Sequence, residues 1–420
     1  MLISFAVENF LSFKDRVEFS MKKASKSPAG IENIKDGILK SACIYGVNNS
    51  GKTNLLRAIR FVVDIIKSGD VSRVYETHYS YVPNDNSVSR FEICFRQNKH
   101  EYKYVLECNA VSVGKEELYR DNKTVFKRVS DTVLDYGMLA GESYYTNRRF
   151  SVTHLFLSKL YADNVLQEQR LKHKVIFEDV YRWLHSVVYA YTDKNNKTIF
   201  YNYNNPLEIF SQEEPRIIKY LNGVLCKIDP TINEIVWKSV EIKETKDITD
   251  SIYIQFRDIV PETLFVRKGD DFFIWEYSGS DKVSCKKLFI VRDNRECEIA
   301  WESDGVKKII ELSALLCLME EIGVVALIDD FDSYLHPLIV EQLLHKIINS
   351  CRDSQLIATF HNIGLMNYDL WRVDQIWFTQ KSAEKGTDLY SLQRYAPRFD
   401  KDILKEYKKG VYGALPNRFI

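Results

Sequence analysis

Short, mostly apolar runs at three points along the chain predict buried strands. The runs are residues 41–45, 324–328 and 355–360. Such runs are typical of central strands in a parallel sheet, because helices cover both faces of those strands. Directly after the first run, residues 54–66 carry apolar side chains at the spacing of one helix face. The pattern therefore predicts an α/β fold in which a strand leads into an amphipathic helix.

Other segments show patterns of their own. Residues 90–95 and 101–108 are predicted to form a hairpin, and residues 307–321 are predicted to form a helix behind the strand at 324–328. Further strands are predicted around Ile252, Trp275, Phe289 and residues 299–301.

The middle of the chain differs from its two ends. Residues 126–245 read as a largely helical insertion, with apolar spacing over 152–184 and a polar, aromatic loop at 195–205. Three domains are therefore predicted: residues 1–125 and 246–420 as two halves of one head, with 126–245 inserted between them. No internal repeat is evident.

The link between the first strand and the helix carries the clearest chemistry. Residues 46–53 read GVNNSGKT and match the pattern G-x-x-x-x-G-K-[ST] at every defined position. The alternative is a chance match in a turn, but strand, glycine loop and helix form the context that the motif needs. The motif predicts an ATP site in which Lys52 reaches the β- and γ-phosphates and Thr53 binds Mg²⁺. The predicted nucleotide contacts are Gly46, Asn48, Asn49, Ser50, Gly51, Lys52, Thr53 and Asn54.

Two acids follow the second apolar run. Asp329 is predicted to hold Mg²⁺, and Asp330 lies where a general base that orients the attacking water is expected. Asp332 is an alternative for the second role. By itself an apolar run before two acids is often only a strand end. Together with a P-loop, the acid pair becomes strong evidence for a nucleotide site.

His361 directly follows the third apolar run. A histidine there could hydrogen-bond the γ-phosphate and report its presence, or it could simply cap a strand end. The order of P-loop, acid pair and histidine favours the functional interpretation, with Lys52, Asp330 and His361 as the catalytic residues.

These segments together resemble the ABC/SMC/RecF-like AAA ATPases, a group often found in bacterial phage-defence and abortive-infection operons. The resemblance covers roughly residues 1–125 and 285–420. It rests on the opening MLISFAVENFLSFKD, the P-loop, ESDGVKK at 302–308, DDFDSYLHP at 329–337, TFHN at 359–362, and the tail segments RVDQIWF, TDLYSL and YKKGVYGALP.

The resemblance implies a P-loop NTPase of ABC/RecF-like architecture, with a mixed sheet beside a central parallel sheet. It also implies that residues 302–308, hereafter the signature-like segment, contact the nucleotide of a partner subunit through Ser303 and Gly305. The competing view is a plain turn into the following helix, capped by Asp304. Two departures stand out: the acid pair is Asp-Asp where the family usually has Asp-Glu, and Gln97 is not a persuasive Q-loop residue.

The composition of the chain bears on its partners, on membrane insertion and on its compartment. The 58 basic and 58 acidic residues cancel, so nothing global indicates nucleic-acid binding. No apolar stretch approaches the length of a membrane span and no signal peptide is visible. The eight cysteines are scattered without a C-x-x-C pair, which indicates reduced thiols in a cytoplasmic protein.

The leading functional hypothesis is an ATPase that dimerises or assembles further around ATP and Mg²⁺. By resemblance it would act in anti-phage defence with a protein effector encoded nearby. The alternative is a RecF/SMC-like DNA-repair ATPase that binds DNA across the dimer. A transporter motor is disfavoured because it predicts a clean Q-loop, and a fused C-terminal nuclease is disfavoured because the tail pattern at 407–416 ends the chain.

Overall fold

The protein is described here from a computed structural model. The described residues are 1–24, 31–72, 74, 88–109, 111–141, 151–166, 173–192, 198–201, 214–241, 263–268, 270–277, 283–351, 353–384, 386–398 and 400–416.

The strands and helices follow one another in this order. The strands are β1 (Leu2–Glu8), β2 (Val17–Ser20), β3 (Ile34–Lys35), β4 (Ile38–Leu39), β5 (Ser41–Tyr45), β6 (Ser89–Gln97), β7 (His100–Cys108), β8 (Val113–Arg120), β9 (Lys123–Val129), β10 (Thr132–Asp135), β11 (Val187–Thr192), β12 (Thr198–Tyr201), β13 (Ile232–Ser239), β14 (Thr263–Lys268), β15 (Asp271–Tyr277), β16 (Val283–Arg292), β17 (Arg295–Glu298), β18 (Val325–Ile328), β19 (Gln355–Thr359), β20 (Ile376–Ser382) and β21 (Gly386–Ser391). The helices are α1 (Lys52–Ser68), α2 (Phe156–Leu166), α3 (Lys174–Ser186), α4 (Glu214–Ile228), α5 (Asp304–Glu321), α6 (Pro337–Ser350) and α7 (Ile403–Lys408).

The chain divides into two compact units. Unit 1 comprises Met1–Tyr189, Ile322–Ser333 and Glu341–Ile420, and unit 2 comprises Ala190–Glu321 and Tyr334–Val340. These bounds lie elsewhere than residues 125 and 245, and the division into two head halves and an insertion stays a prediction. The segment 126–245 contains strands as well as helices.

Unit 1 holds the central parallel strands, in the order β18-β19-β5-β20-β21. Strands β18, β19, β5 and β20 pair in parallel, and β21 returns antiparallel to β20. Every residue of β5, β18 and β19 is buried, so the three predicted apolar runs are confirmed as buried strands. The strand β19 lies between the P-loop strand β5 and the acid-bearing strand β18.

The helix α1 confirms the amphipathic pattern after the first strand. Most of its apolar positions are buried, among them Leu55, Ile59, Val62 and Ile66. The helix ends where Gly69 adopts a left-handed conformation at φ 77° and donates its N–H to the carbonyl of Ile65. Glycine favours such an end because it has no Cβ to clash.

A second sheet of unit 1 is antiparallel, in the order β10-β9-β8-β7-β6-β1-β2. The predicted hairpin is confirmed as β6 and β7, which pair from Ser89 with Cys108 to Gln97 with His100. Its two turn residues, Asn98 and Lys99, both have positive φ, as a two-residue turn between twisted strands requires.

Unit 2 contains the antiparallel sheet β13-β16-β15-β14, with β17 paired to β16. Strands are confirmed at Trp275 and Phe289, and the predicted helix is confirmed as α5. The prediction of a strand at 299–301 is wrong, since Ile299–Trp301 forms a 3-10 turn in which Asp271 accepts the N–H of Ala300.

The predicted loop at 195–205 is wrong over Thr198–Tyr201, where threonine, isoleucine and aromatic residues form β12. The strand predicted at Ile252 lies outside the described residues. In the part of the chain that the structure describes, no helix is both long and apolar enough to cross a bilayer. All eight cysteines are free thiols, five of them buried.

Candidate functional site

The P-loop connects the carboxyl end of β5 to the first turn of α1. At two of its positions there is no room for a side chain. A Cβ on Gly46 would lie 2.5 Å from the carbonyl oxygen of Thr379, and one on Gly51 would lie 2.5 Å from the hydroxyl of Thr387. Gly51 also has φ 112°, which glycine adopts without strain. The two glycines therefore let the backbone approach its neighbours closely and turn into the helix.

Lys52 is the first residue of α1, and its side chain folds back over the loop. Its Nζ donates to the carbonyls of Gly46 at 2.8 Å and Val47 at 3.3 Å. Burial lowers the pKa of Lys52, although Asp330 and Asp329 act in the opposite direction. The ammonium group is thus held within the loop, in an environment where an anionic ligand would stabilise its charge.

The metal-ligand candidates Thr53 and Asp329 meet directly. The hydroxyl of Thr53 donates to Oδ1 of Asp329 at 3.1 Å, across 276 positions of sequence. Asp329 is 6% exposed. Burial raises its pKa, and the adjacent charge of Asp330 raises it further. A buried, partly destabilised carboxylate beside a hydroxyl is a donor pair that a divalent cation would favour.

Thr359 links the two acids, and sequence patterns assigned it no role. It ends β19, the strand between β5 and β18, so its side chain reaches both neighbours. Its hydroxyl lies 2.7 Å from Oδ1 of Asp329 and 3.3 Å from Oδ1 of Asp330, and it accepts the N–H of Asp330 at 2.8 Å. The available signal was a hydroxyl residue at the end of a buried strand, directly before Phe360 and His361.

Nε2 of His361 lies 3.0 Å from Oδ1 of Asp330, and the two side chains form an ion pair when the histidine is protonated. Burial raises the pKa of Asp330, but the hydrogen bond and charge of His361, with the charge of Lys52, outweigh burial and leave that pKa lowered. The hydrogen bond that His361 donates to Asp330 in turn raises the pKa of His361. Asp330 adopts φ 50°, a conformation uncommon for residues other than glycine.

Asp332 has a different task from Asp330. Its carboxylate is 8% exposed and accepts the backbone N–H of His361 at 3.1 and 3.0 Å, and it also accepts the N–H of Asn362. These contacts pair the backbone that follows β19. They give Asp332 a structural role, which favours Asp330 as the residue that orients water.

The asparagines of the P-loop take separate positions. Asn48 and Asn49 are exposed, and Asn49 has φ 64°. Asn54 donates its Nδ2 to the hydroxyl of Ser12 at 2.8 Å. The P-loop, Asp329, Asp330 and His361 all lie in unit 1, where the contacts above bring them together.

Ser303 and Gly305 lie in unit 2, where the signature-like segment leads into α5. The hydroxyl of Ser303 accepts the N–H of Val306 at 3.4 Å, so Ser303 and not Asp304 occupies the capping position. A Cβ on Gly305 would lie 3.0 Å from the carbonyl oxygen of Tyr334. Gln97 ends β6 in the antiparallel sheet.

The residues present fit a magnesium nucleotide. The two glycine positions provide close backbone approach, Lys52 provides a cation, and Thr53 with Asp329 provides oxygen ligands. Among the described residues there is no cluster of three or more His, Cys, Asp or Glu side chains that could hold a metal alone. A cation at Thr53 and Asp329 would therefore need oxygens from a nucleotide or from water to complete its coordination.

Comparisons with known proteins agree with this geometry. A family model described as "AAA domain, putative AbiEii toxin, Type IV TA system" matches residues 41–132 and 158–367, which is more than half of the chain. The predicted fold class, an α/β P-loop NTPase, is confirmed. A search of curated proteins gives no match.

Two solved structures are also similar in fold. One is an SMC head bound to the C-winged helix domain of ScpA, at 12% identity and TM-score 0.46, covering 93% of this chain and 97% of that chain. The other is the SMC head domain from Thermotoga maritima, at 13% identity and TM-score 0.42, covering 93% of this chain and 98% of that one.

Proposed function

Because the chain belongs to the family of AAA domains whose model it matches over residues 41–132 and 158–367, we propose that it binds Mg–ATP and hydrolyses it to ADP and phosphate. The observation that carries the proposal is the 3.1 Å contact between Thr53 and Asp329. It joins the P-loop to the acid-bearing strand and leaves a hydroxyl and a carboxylate side by side. In P-loop NTPases this pair holds Mg²⁺.

Lys52 and the loop backbone would bind the phosphates. The ammonium group now donates to the carbonyls of Gly46 and Val47, and it would exchange these contacts for the β- and γ-phosphate oxygens. The N-terminus of α1 adds its partial positive charge. When bound, Mg²⁺ neutralises charge that develops on the phosphates.

Asp330 would orient the attacking water and take up its proton. Its lowered pKa keeps the carboxylate ionised at neutral pH, as an acceptor requires. His361 holds one oxygen of Asp330 in the ion pair, and Thr359 fixes its backbone N–H. A γ-phosphate would compete for His361, so its arrival would loosen the pair and free Asp330 for water. This makes hydrolysis conditional on the triphosphate.

At the level of process, we propose an ATP-driven switch in bacterial anti-phage defence that works with a protein effector. The support is the resemblance of the motifs together with the family's description as an AbiEii-type AAA domain. The proposed setting is the cytoplasm, where ATP is available and the eight thiols stay reduced.

A second candidate is an ATPase of DNA repair that binds DNA across an ATP-closed dimer, as RecF-like proteins do. Its support is the likeness of motifs between this chain and the SMC/RecF group. ATP-dependent retention of duplex DNA at about 150 mM salt would favour this candidate, since nonspecific charge contacts weaken at that salt. A neighbouring toxin gene whose product is released by ATP would favour the first.

The test of nucleotide binding is Lys52→Ala, measured by titration calorimetry with Mg–ATP. Removing the phosphate-facing charge should weaken binding on the order of 100-fold. Lys405→Ala removes a lysine whose side chain is 77% exposed on α7, and it serves as the matched control that should bind as the wild type does. Equal affinity in a folded Lys52→Ala variant would show that the P-loop assignment is wrong.

A further inference from the structure

Two segments from opposite ends of the chain meet at the P-loop. The turn after β1 contributes Ser12, and the start of β21 contributes Thr387. Oγ1 of Thr387 lies 2.8 Å from the carbonyl oxygen of Ser50 and 2.9 Å from Oγ of Ser12. Oγ of Ser12 lies 2.8 Å from Nδ2 of Asn54. All four residues belong to unit 1, and the contacts between Thr387 and its neighbours are buried.

The donors and acceptors limit the ways in which this chain of hydrogen bonds can form. A carbonyl only accepts and an amide nitrogen only donates, whereas each hydroxyl has one proton to give. Thr387 can therefore give its one proton to the carbonyl of Ser50 or to Oγ of Ser12, and Asn54 donates to Ser12. These contacts run from the start of α1 back to the loop before it.

The two ends of the hydrogen-bond chain enclose the residues proposed to bind phosphate and magnesium. Ser50 and Asn54 are four positions apart, and Gly51, Lys52 and Thr53 lie between them. Because the peptide bond after Ser50 is trans, its N–H, which belongs to Gly51, points opposite to the Ser50 carbonyl. Holding that carbonyl on Thr387 therefore turns the N–H of Gly51 away from Thr387, as a phosphate-binding loop requires.

Neighbouring contacts further restrict the position of the P-loop and of the two segments that pack on it. The backbone N–H of Thr387 donates to the carbonyl of Ser12 at 2.8 Å, which ties the two bracing segments to each other. The hydroxyl of Ser50 lies 2.6 Å from that of Thr379 on β20. A Cβ on Gly51 would lie 2.5 Å from Oγ1 of Thr387, so the hairpin β20–β21 is packed directly on the loop.

We propose that Ser12 and Thr387 are positioning residues that preorganise the P-loop for nucleotide phosphate by orienting the Ser50–Gly51 peptide. The inference rests on the nucleotide binding proposed above. It gives the N-terminal turn and the C-terminal hairpin a defined task at the site, although neither touches the reacting atoms.

The test is the affinity for Mg–ADP, measured by calorimetry on the full chain. Thr387→Val keeps the shape but leaves the buried Ser50 carbonyl unpaired, which should weaken binding about tenfold. Thr387→Ser keeps the hydroxyl and should restore affinity to within about twofold. Ser12→Ala should weaken binding only about threefold, because Thr387 can still donate to Ser50. The double variant should resemble Thr387→Val alone, since both hydroxyls act in one chain.

The matched control is Ser391→Ala, on the same strand β21. Its hydroxyl bonds to the carbonyl of Val373 at 3.3 Å and not to the loop, so affinity should not change. Thermal melting of each variant separates stability from affinity. A lower melting temperature with unchanged affinity in Thr387→Val and Ser12→Ala would overturn the inference, as would failure of Thr387→Ser to restore binding. If Thr387→Val does not fold, the affinities of Ser12→Ala and Thr387→Ser still test the inference.

The premise is checked in the same experiment. If the wild-type chain and Lys52→Ala bind Mg–ADP equally or not at all, the proposed function fails and the inference fails with it. If Lys52→Ala loses binding while Thr387→Val binds as the wild type does, only the inference is wrong.

Discussion

At the scale of single residues, two adjacent carboxylates have opposite properties. Asp329 is almost fully buried next to another carboxylate, so its pKa is raised. Asp330 is partly exposed, and His361 and Lys52 supply positive charge that lowers its pKa. A cation would stabilise the charged form of Asp329, and positive neighbours already stabilise the charged form of Asp330. This difference supports the proposal that Asp329 binds the metal and Asp330 orients the water.

Replacing Asp330 by Asn should slow ATP hydrolysis and leave Mg–ATP binding intact. The amide cannot accept a proton from water, and loss of a general base typically costs about 100-fold or more in rate. The measurement is phosphate release at saturating ATP, with binding followed by calorimetry. Asp332→Asn is the control: it disturbs a carboxylate that pairs backbone N–H groups, so it should lower stability by about 1–3 kcal/mol. Undiminished turnover in Asp330→Asn would show that another residue acts as the general base.

The ion pair between His361 and Asp330 should make the stability of the nucleotide-free protein depend on pH. The pKa of His361 is raised, so its contribution is fully present below its ordinary value of 6.5 and is lost as pH rises through the raised pKa. The pKa of Asp330 is lowered, so its contribution is present above 3.8 and is lost as pH falls through the lowered pKa.

Both partners are partly exposed, at 50% and 35% of their side chains, so solvent limits the pair to below about 1 kcal/mol. The measurement is the free energy of unfolding by urea for the wild type and for Asp330→Asn. The difference between them should be larger at about pH 5.5 than at about pH 8.5. An equal difference in the free energy of unfolding at both pH values would contradict the ion pair between His361 and Asp330.

At the scale of elements, the sequence was most informative where one segment determines its own structure. The runs that became β5, β18 and β19 are short and mostly apolar, as is typical of strands covered on both faces. The helix α1 combines a 3.6-residue apolar spacing with a glycine at its end. These elements carry the P-loop and the acid pair, and therefore most of the candidate site.

The remaining part of the site depends on pairings between distant segments. Thr387 and Ser12 are 375 positions apart, and no local pattern indicates that their hydroxyls meet. The role of Thr359 follows from the position of β19 between β5 and β18, which periodicity does not specify. The sequence could not distinguish the role of Asp332 from that of Asp330. The structure does, because the carboxylate of Asp332 accepts the backbone N–H of His361. Trp301 was predicted to lie in a strand, but it lies in a 3-10 turn with 85% exposure.

At the scale of the whole molecule, the proposed ATPase residues fall into different units. The P-loop and the acid pair lie in unit 1, whereas Ser303 and Gly305 of the signature-like segment lie in unit 2. Inside unit 2 this segment has a local task already, because Ser303 accepts the N–H of Val306 and Gly305 leaves little space beside the Tyr334 carbonyl. A role in completing the site of a second copy is an additional proposal, and only an experiment on assemblies can separate it from that local task.

That experiment combines two inactive chains, a Lys52→Ala variant and a Gly305→Ala variant. If Gly305 acts on the nucleotide of a second copy, mixing should restore part of the ATPase activity, because one interface of a mixed dimer joins an intact P-loop to an intact signature-like segment. The expected recovery is up to one active site per mixed dimer, about half the activity of a wild-type dimer, measured as phosphate release over a range of mixing ratios. Ser303→Ala should replace Gly305→Ala if the added methyl, 3.0 Å from the Tyr334 carbonyl, unfolds the chain.

Mixing Lys52→Ala with Asp330→Asn supplies the matched control. Both changes lie in the same unit, so neither chain of such a mixed dimer has both an intact P-loop and an intact acid. Mixed assemblies that form, as shown by co-purification of two tags, yet regain no activity would mean that each chain hydrolyses ATP with its own residues alone.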